Sequence, residues 1–253
     1  MANEQRPQRA KKICISSGKG GVGKTSFAVN LATSLAARQK KVLLIDGDLG
    51  LANVDVLLGL NVRHTVRENI EEGRDLAGLL LPVAAGFHLL PATSGVPEMA
   101  SLSYEEQHEL IRALDAIMDQ FDFVLVDTAA GIGDSVLWFN AWADLNVVIV
   151  SPDPTSMADA YALIKVMVAR HRKNAFQLVT NSITSPQEGR EIFEGLSGVA
   201  AKYLRITASH LGALPHDPAV VRAIRSRKPF LLDAPESKVS LAVMQIADKI
   251  LEL

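Results

Sequence analysis

The chain has 253 residues, 48% of them hydrophobic, and a formal net charge of -2, which suits one well-buried domain. Near-neutral charge argues against a protein whose main work is coating nucleic acid or an anionic membrane. The single cysteine, Cys14, excludes a disulfide framework and a four-thiolate metal site within one chain.

Met1–Ala10 is polar and basic and reads as a flexible N-terminal arm, with residues 11–253 forming a single domain. It has no apolar signal core, and no stretch of the chain approaches the roughly 20 continuous apolar residues of a membrane span, so a cytoplasmic location is expected. Apolar runs of strand length follow at Lys12–Ser16, Lys41–Asp46, Phe87–Pro91, Phe123–Asp127, Leu145–Val150, Phe176–Asn181 and Leu211–Leu214. Several are apolar throughout, as expected for strands covered on both faces, and Cys14 reads as a buried strand residue. Helical segments alternate with them. Ser103 with Glu106 and Ser185 with Glu188 fit capping boxes, the second with Pro186 at the favoured first helical position. Ser156 with Asp159 reads as a weaker helix start. Trp138 and Trp142 share one helical face, as core or as a partner surface. The six histidines lack metal spacing and read as surface or cap residues. The alternation predicts a three-layer, doubly wound α/β fold with a mostly parallel sheet.

Ligands of such sheets bind outside the carboxyl ends of the strands. The polar residues that follow the predicted strands are the Gly18 loop, Asp46 and Asp48, Asp127, Asp153, Asn181, and Pro215-His216-Asp217. Gly18, Lys19, Gly20, Gly21, Val22, Gly23, Lys24 and Thr25 fit the phosphate-loop pattern G-x-x-x-x-G-K-[ST], and Ser26 follows directly. Glycines let backbone N–H groups approach phosphate oxygens, and the helix starting near Lys24 aims its dipole at the same anion. Lys24 is expected on the β- and γ-phosphates and Thr25 on Mg²⁺. Asp127 ends an apolar strand, where a carboxylate can hold the hydration shell of Mg²⁺; the bland alternative is a turn or cap aspartate. Asp46 suits a water on the metal and Asp48 suits orienting the attacking water, against the alternative of a solvated acidic turn. Lys19 is surplus to the loop's own lysine. It is either a solvated charge or a second cation that reaches a partner subunit's phosphates in the manner of an arginine finger.

The run Lys19-Gly20-Gly21-Val22-Gly23-Lys24-Thr25 resembles the MinD/ParA group of deviant P-loop ATPases, and the similarity covers nearly everything from Lys12 onward. Asp46 to Asp55, Asp127 to Asp134, Pro154-Thr155-Ser156 with Asp159 to Lys165, and Ser185 to Arg190 are most similar to the FleN/FlhG regulators of flagellar number. The resemblance implies an ATP-dependent homodimer with Lys19 crossing to the partner's nucleotide and slow, Mg²⁺-dependent hydrolysis with Asp48 handling the water. Thr25 would hold the metal directly, and Asp46 and Asp127 through water. It further implies adenine recognition by Asn181 and by the Pro215-His216-Asp217 loop, Asp153 near the ribose and dimer seam, and Arg222 within reach of the nucleotide. The implied role is a switch acting on a flagellar AAA+ transcription activator or a flagellar SRP-type GTPase, in the cytoplasm, at the pole or peripherally at the membrane.

Two regions depart from relatives in the group. Ser237–Leu253 lacks the basic, aromatic character of a membrane anchor, and Leu241, Met244, Ile246 and Ile250 read as a helix packed on the body. Met1–Ala10 holds glutamines and arginines without a clear match to the GTPase-stimulating segment of some relatives, which leaves direct GTPase activation open. The alternatives are a ParA-type DNA- or cargo-positioning ATPase, whose best basic cluster is Arg222, Arg225, Arg227 and Lys228, and a non-hydrolysing ATP-dependent switch. No specific nucleic acid is expected.

Overall fold

Both faces of the central strands are covered, which is why they could be read from uninterrupted apolar runs. A computed structural model describes residues 9–48, 53–62, 66, 69, 75–92 and 104–253. In chain order the elements are β1 (Lys11–Ser17), α1 (Lys24–Ala37), β2 (Val42–Gly47), α2 (Val54–Leu58), β3 (Leu81–Ala84), β4 (Phe87–Leu90) and α3 (Tyr104–Met118). There follow β5 (Phe123–Ala130), α4 (Asp134–Trp142), β6 (Leu145–Val150), α5 (Pro154–His171), β7 (Ala175–Ile183), α6 (Pro186–Leu204) and β8 (Thr207–Pro215). The chain closes with α7 (Pro218–Ser226), α8 (Phe230–Asp233) and α9 (Lys238–Glu252). The described strands form one sheet in the order β3-β4-β2-β5-β1-β6-β7-β8, parallel except for the β3–β4 pair.

Alternate residues of β1 enter different cores, as the two-residue period of a strand requires. Ile13 and Ile15 pack with α1, α7, α8 and α9 on one face; Cys14 packs with α3 and α4 on the other. A third apolar cluster lies between β6, β7 and helices α4, α5 and α6. Helices therefore cover both faces, as the alternation predicted.

The sequence reading did not anticipate β3. It is half exposed along its length and contains Pro82, a residue that sheets accept at an edge. β8, the opposite edge, is longer than the predicted Leu211–Leu214 because its first half alternates exposed and half-buried residues. α5 begins one turn earlier than Ser156 and Asp159 suggested. Asp153 accepts from the Thr155 N–H at 2.7 Å, while the buried Ser156 hydroxyl is taken by the Ser151 N–H. Ser185 caps α6 as expected, but Glu188 reaches back to the Thr184 N–H rather than to that of Ser185. Ser103 and His64 lie outside the described residues, as does most of the N-terminal arm.

α9 packs Val239, Val243, Ile246, Ala247 and Ile250 against the body, and Arg38, the C-cap of α1, bonds Asp248 and the Met244 carbonyl. Leu241 does not belong to that buried stripe; it is 48% exposed. Two histidines are packing residues rather than surface or cap groups: His88 meets Phe121 edge-on and His210 stacks on Phe193 at 4.8 Å. Trp138 and Trp142 are partly buried against the α3 and α4 core. Among the described residues no helix is long and apolar enough to cross a membrane.

Asn30 is a buried polar group that ties α1 to α8. Its Nδ2 donates to the Ser26 carbonyl at 2.7 Å and its Oδ1 accepts from the Leu231 N–H at 2.9 Å. Asn30→Ala would leave the Leu231 N–H buried without a partner, so a loss of about 1–3 kcal/mol is expected. An unchanged urea midpoint and slope for that variant would contradict this role.

Candidate nucleotide-binding site

The site is built at the carboxyl ends of β1, β2 and β5. Gly18 leaves β1 pressed against α5; a Cβ there would lie 2.1 Å from the Asp159 carbonyl carbon, so only glycine fits. Gly23 ends the loop at φ 94° as the N-cap of α1 and supplies no capping side chain. No acid lies in the first turn of α1, whereas α5, α6, α7 and α9 are each capped by a side chain. The first N–H groups of α1 thus have neither a capping side chain nor a first-turn acid, which leaves them open to an anion.

Beside that terminus stand three buried charged groups. Lys24 is 8% exposed and donates to the Ser17 hydroxyl at 3.0 Å. Burial lowers its pKa, while Asp127 and Asp48 pull it back up. Asp127 is pushed up to about 6, first by burial, with the Thr25 hydrogen bond and Lys24 opposing the rise. Its Oδ1 is buried with no hydrogen-bond partner among the described residues. Asp46 pairs in register with Asp127 across β2 and β5 and is pushed up to about 7 by burial and then by that neighbour. Its carboxylate accepts from the N–H groups of Asp48, Asn53 and Val54 at 3.0–3.1 Å. Asp46 therefore anchors the chain on both sides of residues 49–52, a duty that sequence spacing did not reveal. The Gly131 N–H bonds the Ser17 carbonyl at 2.9 Å and stitches the loop after β5 to the phosphate loop.

A hard divalent cation prefers oxygen donors. The orphaned Asp127 oxygen and the hydroxyl of Thr25, beside an anion-binding helix terminus, fit such an ion. Among the described residues no group of three or more His, Cys, Asp or Glu side chains forms a ready-made metal cage.

Lys19 lies apart from Lys24. Its Nζ meets the Asp153 carboxylate at 2.5 Å and the Thr155 hydroxyl at 2.7 Å of its own chain. Lys19, followed by the Thr155 bonds, holds the Asp153 carboxyl well below the usual range. Both side chains are more than one-third exposed, so water screens the pair and it adds little to stability.

A cavity of about 400 Å³ opens next to the phosphate loop. Gly21, Val22, Gly23 and Ser26 border it on one side, with Asp153, Asn181 and Ser182 further round. Leu214, Val220, Ile224, Phe230 and Val239 form an apolar wall. Asn181 donates to the Val22 carbonyl at 2.6 Å and accepts from the Ser182 N–H, so its amide braces the loop in this state. Pro215 ends β8. The His216 N–H bonds the Ile183 carbonyl, and its ring nitrogen lies 3.3 Å from the Ser182 hydroxyl. Asp217 caps α7 and accepts from the Val239 N–H at 3.4 Å. Arg222 is exposed on α7 and is not among the residues lining the cavity, to which that helix contributes Val220 and Ile224. Ser17, Thr155, Phe230 and Val239 were missed in sequence. The hydroxyls sit in motifs that do not require them, and the apolar wall is assembled from segments far apart in the chain.

An uncapped helix after a glycine loop, a buried lysine and two strand-end aspartates define a P-loop nucleotide site in a doubly wound sheet. The chain matches the family model described as ParA, NUBPL iron-transfer P-loop NTPase, over residues 8–251, and it belongs to the ParA/MinD family of P-loop NTPases. Iron transfer is that model's description; this chain's one cysteine, Cys14, is buried. It is 42% identical over 238 residues to the antiactivator FleN of Pseudomonas aeruginosa, covering 94% of this chain and 85% of the relative. It is 34% identical to the flagellum site-determining protein YlxH of Helicobacter pylori, covering 94% and 80%. The solved MinC:MinD complex of Aquifex aeolicus superimposes with a TM-score of 0.77 at 27% identity, covering 96% of each chain. MinD of Pyrococcus horikoshii complexed with Mg-ADP shares the fold with a TM-score of 0.78 at 21% identity, covering 95% and 96%.

Asp127 supplies a stability test. Its folded pKa lies above the unfolded value of 3.8, so the folded state retains a proton that the unfolded state releases. Nucleotide-free stability is therefore lost as pH rises from about 4 to 6 and stays lost above. Asp127→Asn removes that charge and is expected to gain about 1–3 kcal/mol at pH 8. Denaturant melts of both proteins without nucleotide at pH 4.5 and pH 8 check this; the gain should be smaller at the lower pH.

Proposed function

We propose that this chain is an ATP-binding, slowly hydrolysing switch that pairs with a second copy when ATP is bound and regulates flagellar biogenesis through a protein partner. One observation carries the reading. The buried Lys24–Asp127–Asp46 group, with its orphaned carboxylate oxygen, stands at the uncapped terminus of α1. The flagellar role is supported by similarity to FleN and YlxH over 94% of the chain.

In this reading the loop N–H groups and Lys24 bind the β- and γ-phosphates. Thr25 holds Mg²⁺, with Asp127 and Asp46 acting through water. Bound Mg²⁺ supplies charge neutralisation and orientation of the phosphate oxygens. Asp48, next to the strand-end carboxylates, positions the attacking water by hydrogen bonding. Asn181 and the Pro215-His216-Asp217 loop border the base, and the apolar wall of Leu214, Val220 and Phe230 suits a planar ring. Lys19 leaves Asp153 and reaches the partner's nucleotide. The pair that holds it is exposed and screened by water, so a phosphate chain can outcompete it. The partner is a flagellar AAA+ transcription activator or SRP-type GTPase.

Lys24→Ala should abolish nucleotide binding or turnover. Lys19→Ala should bind nucleotide yet lose hydrolysis by about 10³-fold or more, as loss of a finger cation does. Asp48→Ala should bind and dimerise but release no phosphate in a single turnover. Sedimentation with ADP and then with a slowly hydrolysed ATP analogue tests pairing. An unchanged mass in both would sink the switch reading.

A further inference from the structure

On the face that carries α1, a second groove of about 540 Å³ lies between α2, β3 and the corner joining α7 to α8. Its apolar lining includes Leu58 at the end of α2, Leu60 beyond it, Val83 of β3 and Leu232 of α8. Leu232 is 59% exposed, and Val56 on the neighbouring helix is 60% exposed. A single exposed leucine needs no explanation. Here it stands in a concave apolar trough whose rim carries Arg227 and Lys228 against one carboxylate, Asp233. Both cations are exposed, and among the described residues neither side chain makes an ion pair or hydrogen bond. An apolar trough with surplus positive charge complements a protein segment presenting an apolar side chain beside carboxylates. Two cations are few for nucleic acid, and a concave trough does not suit a flat bilayer.

Both walls begin at the nucleotide site. The first turn of α2 hangs from Asp46 through the Asn53 and Val54 N–H groups. The far end of α2 carries the stem of Arg227, because a Cβ on Gly59 would lie 3.2 Å from the Arg227 Cδ. The opposite wall continues from Ile224 and Phe230, which line the nucleotide cavity, and Leu231 is held by Asn30 of α1. A shift of Asp46 or Phe230 on nucleotide exchange would therefore move Leu58, Arg227 and Leu232 relative to one another.

We propose that this groove docks an acidic, apolar-anchored segment of a protein partner, and that nucleotide state sets its affinity. The second clause rests on the ATP-switch reading above. The coupling is reciprocal, so the docked segment must change nucleotide affinity by the same factor.

A displayed library of 12-residue peptides, selected on the full chain with ATP analogue and Mg²⁺, supplies the probe. The selected peptides should pair an aromatic or branched apolar residue with Asp or Glu. Leu232→Glu and the double variant Arg227→Glu/Lys228→Glu should each weaken binding about tenfold or more. The double variant should recover binding to the peptide whose acids are replaced by lysine. Both changes are on exposed side chains, and nucleotide affinity measured on each variant confirms a folded site. Peptides without acids, binding indifferent to both variants, or failure of the lysine peptide to rescue would overturn the docking proposal. So would anionic vesicles or duplex DNA binding at this face in place of peptide, or a second copy of the chain covering it. Equal peptide affinity with ADP and analogue would overturn the coupling alone. Failure of the wild-type chain to bind either nucleotide would overturn the ATP reading, while the docking is still judged on the nucleotide-free chain.

Discussion

The structure turns on three charges buried at the ends of its central strands. Asp46 and Asp127 face each other across β2 and β5, and Lys24 opens α1 beside them. Burying charge is costly unless it is paired or hydrogen-bonded. Here the compensation is partial: Lys24 and Thr25 offset part of the cost at Asp127, and three N–H groups do so at Asp46. One oxygen of Asp127 is still without a partner. Such a set holds the loops around it in place and is completed by a cation and an anion together, the chemistry of a metal–nucleotide complex.

The two lysines of the loop differ because their surroundings differ. Lys24 is desolvated and held at Ser17 by the start of α1, so its position belongs to the fold. Lys19 is exposed, and its partner Asp153 also caps α5. Losing the lysine leaves Asp153 with its capping bonds, so the pair opens without unravelling the helix. Burial makes one lysine a permanent part of the site, and exposure lets the other exchange partners.

The parallel core was legible because strands covered on both faces lose their polar alternation, as in Phe123 to Val126. Edges were less legible. β3 has a proline and half-exposed residues, and the first half of β8 alternates. Local competition also misled: Ser156 and Asp159 looked like a helix start, but Asp153 with Pro154 captured it a turn earlier. His88 and His210 looked like surface residues because aromatic packing partners such as Phe121 and Phe193 are distant or on another element. Arg222 stands one turn into the right helix, yet that helix turns Val220 and Ile224 to the cavity.

The amino-acid sequence by itself determined the phosphate loop, the strand-end acids and the three-layer fold. These rest on short-range rules: glycine spacing, residues at strand ends, and the apolar period of each element. Only the tertiary structure decided that Asp46 suspends α2, that Asn181 braces Val22, that Lys19 rests on Asp153, and which apolar residues wall the cavity beside the phosphate loop. Asp46 reaches Val54 only eight positions on, but Lys19 meets Asp153 and Val22 meets Asn181 across more than a hundred positions of chain. No local pattern encodes such contacts, because they depend on how the sheet orders its strands.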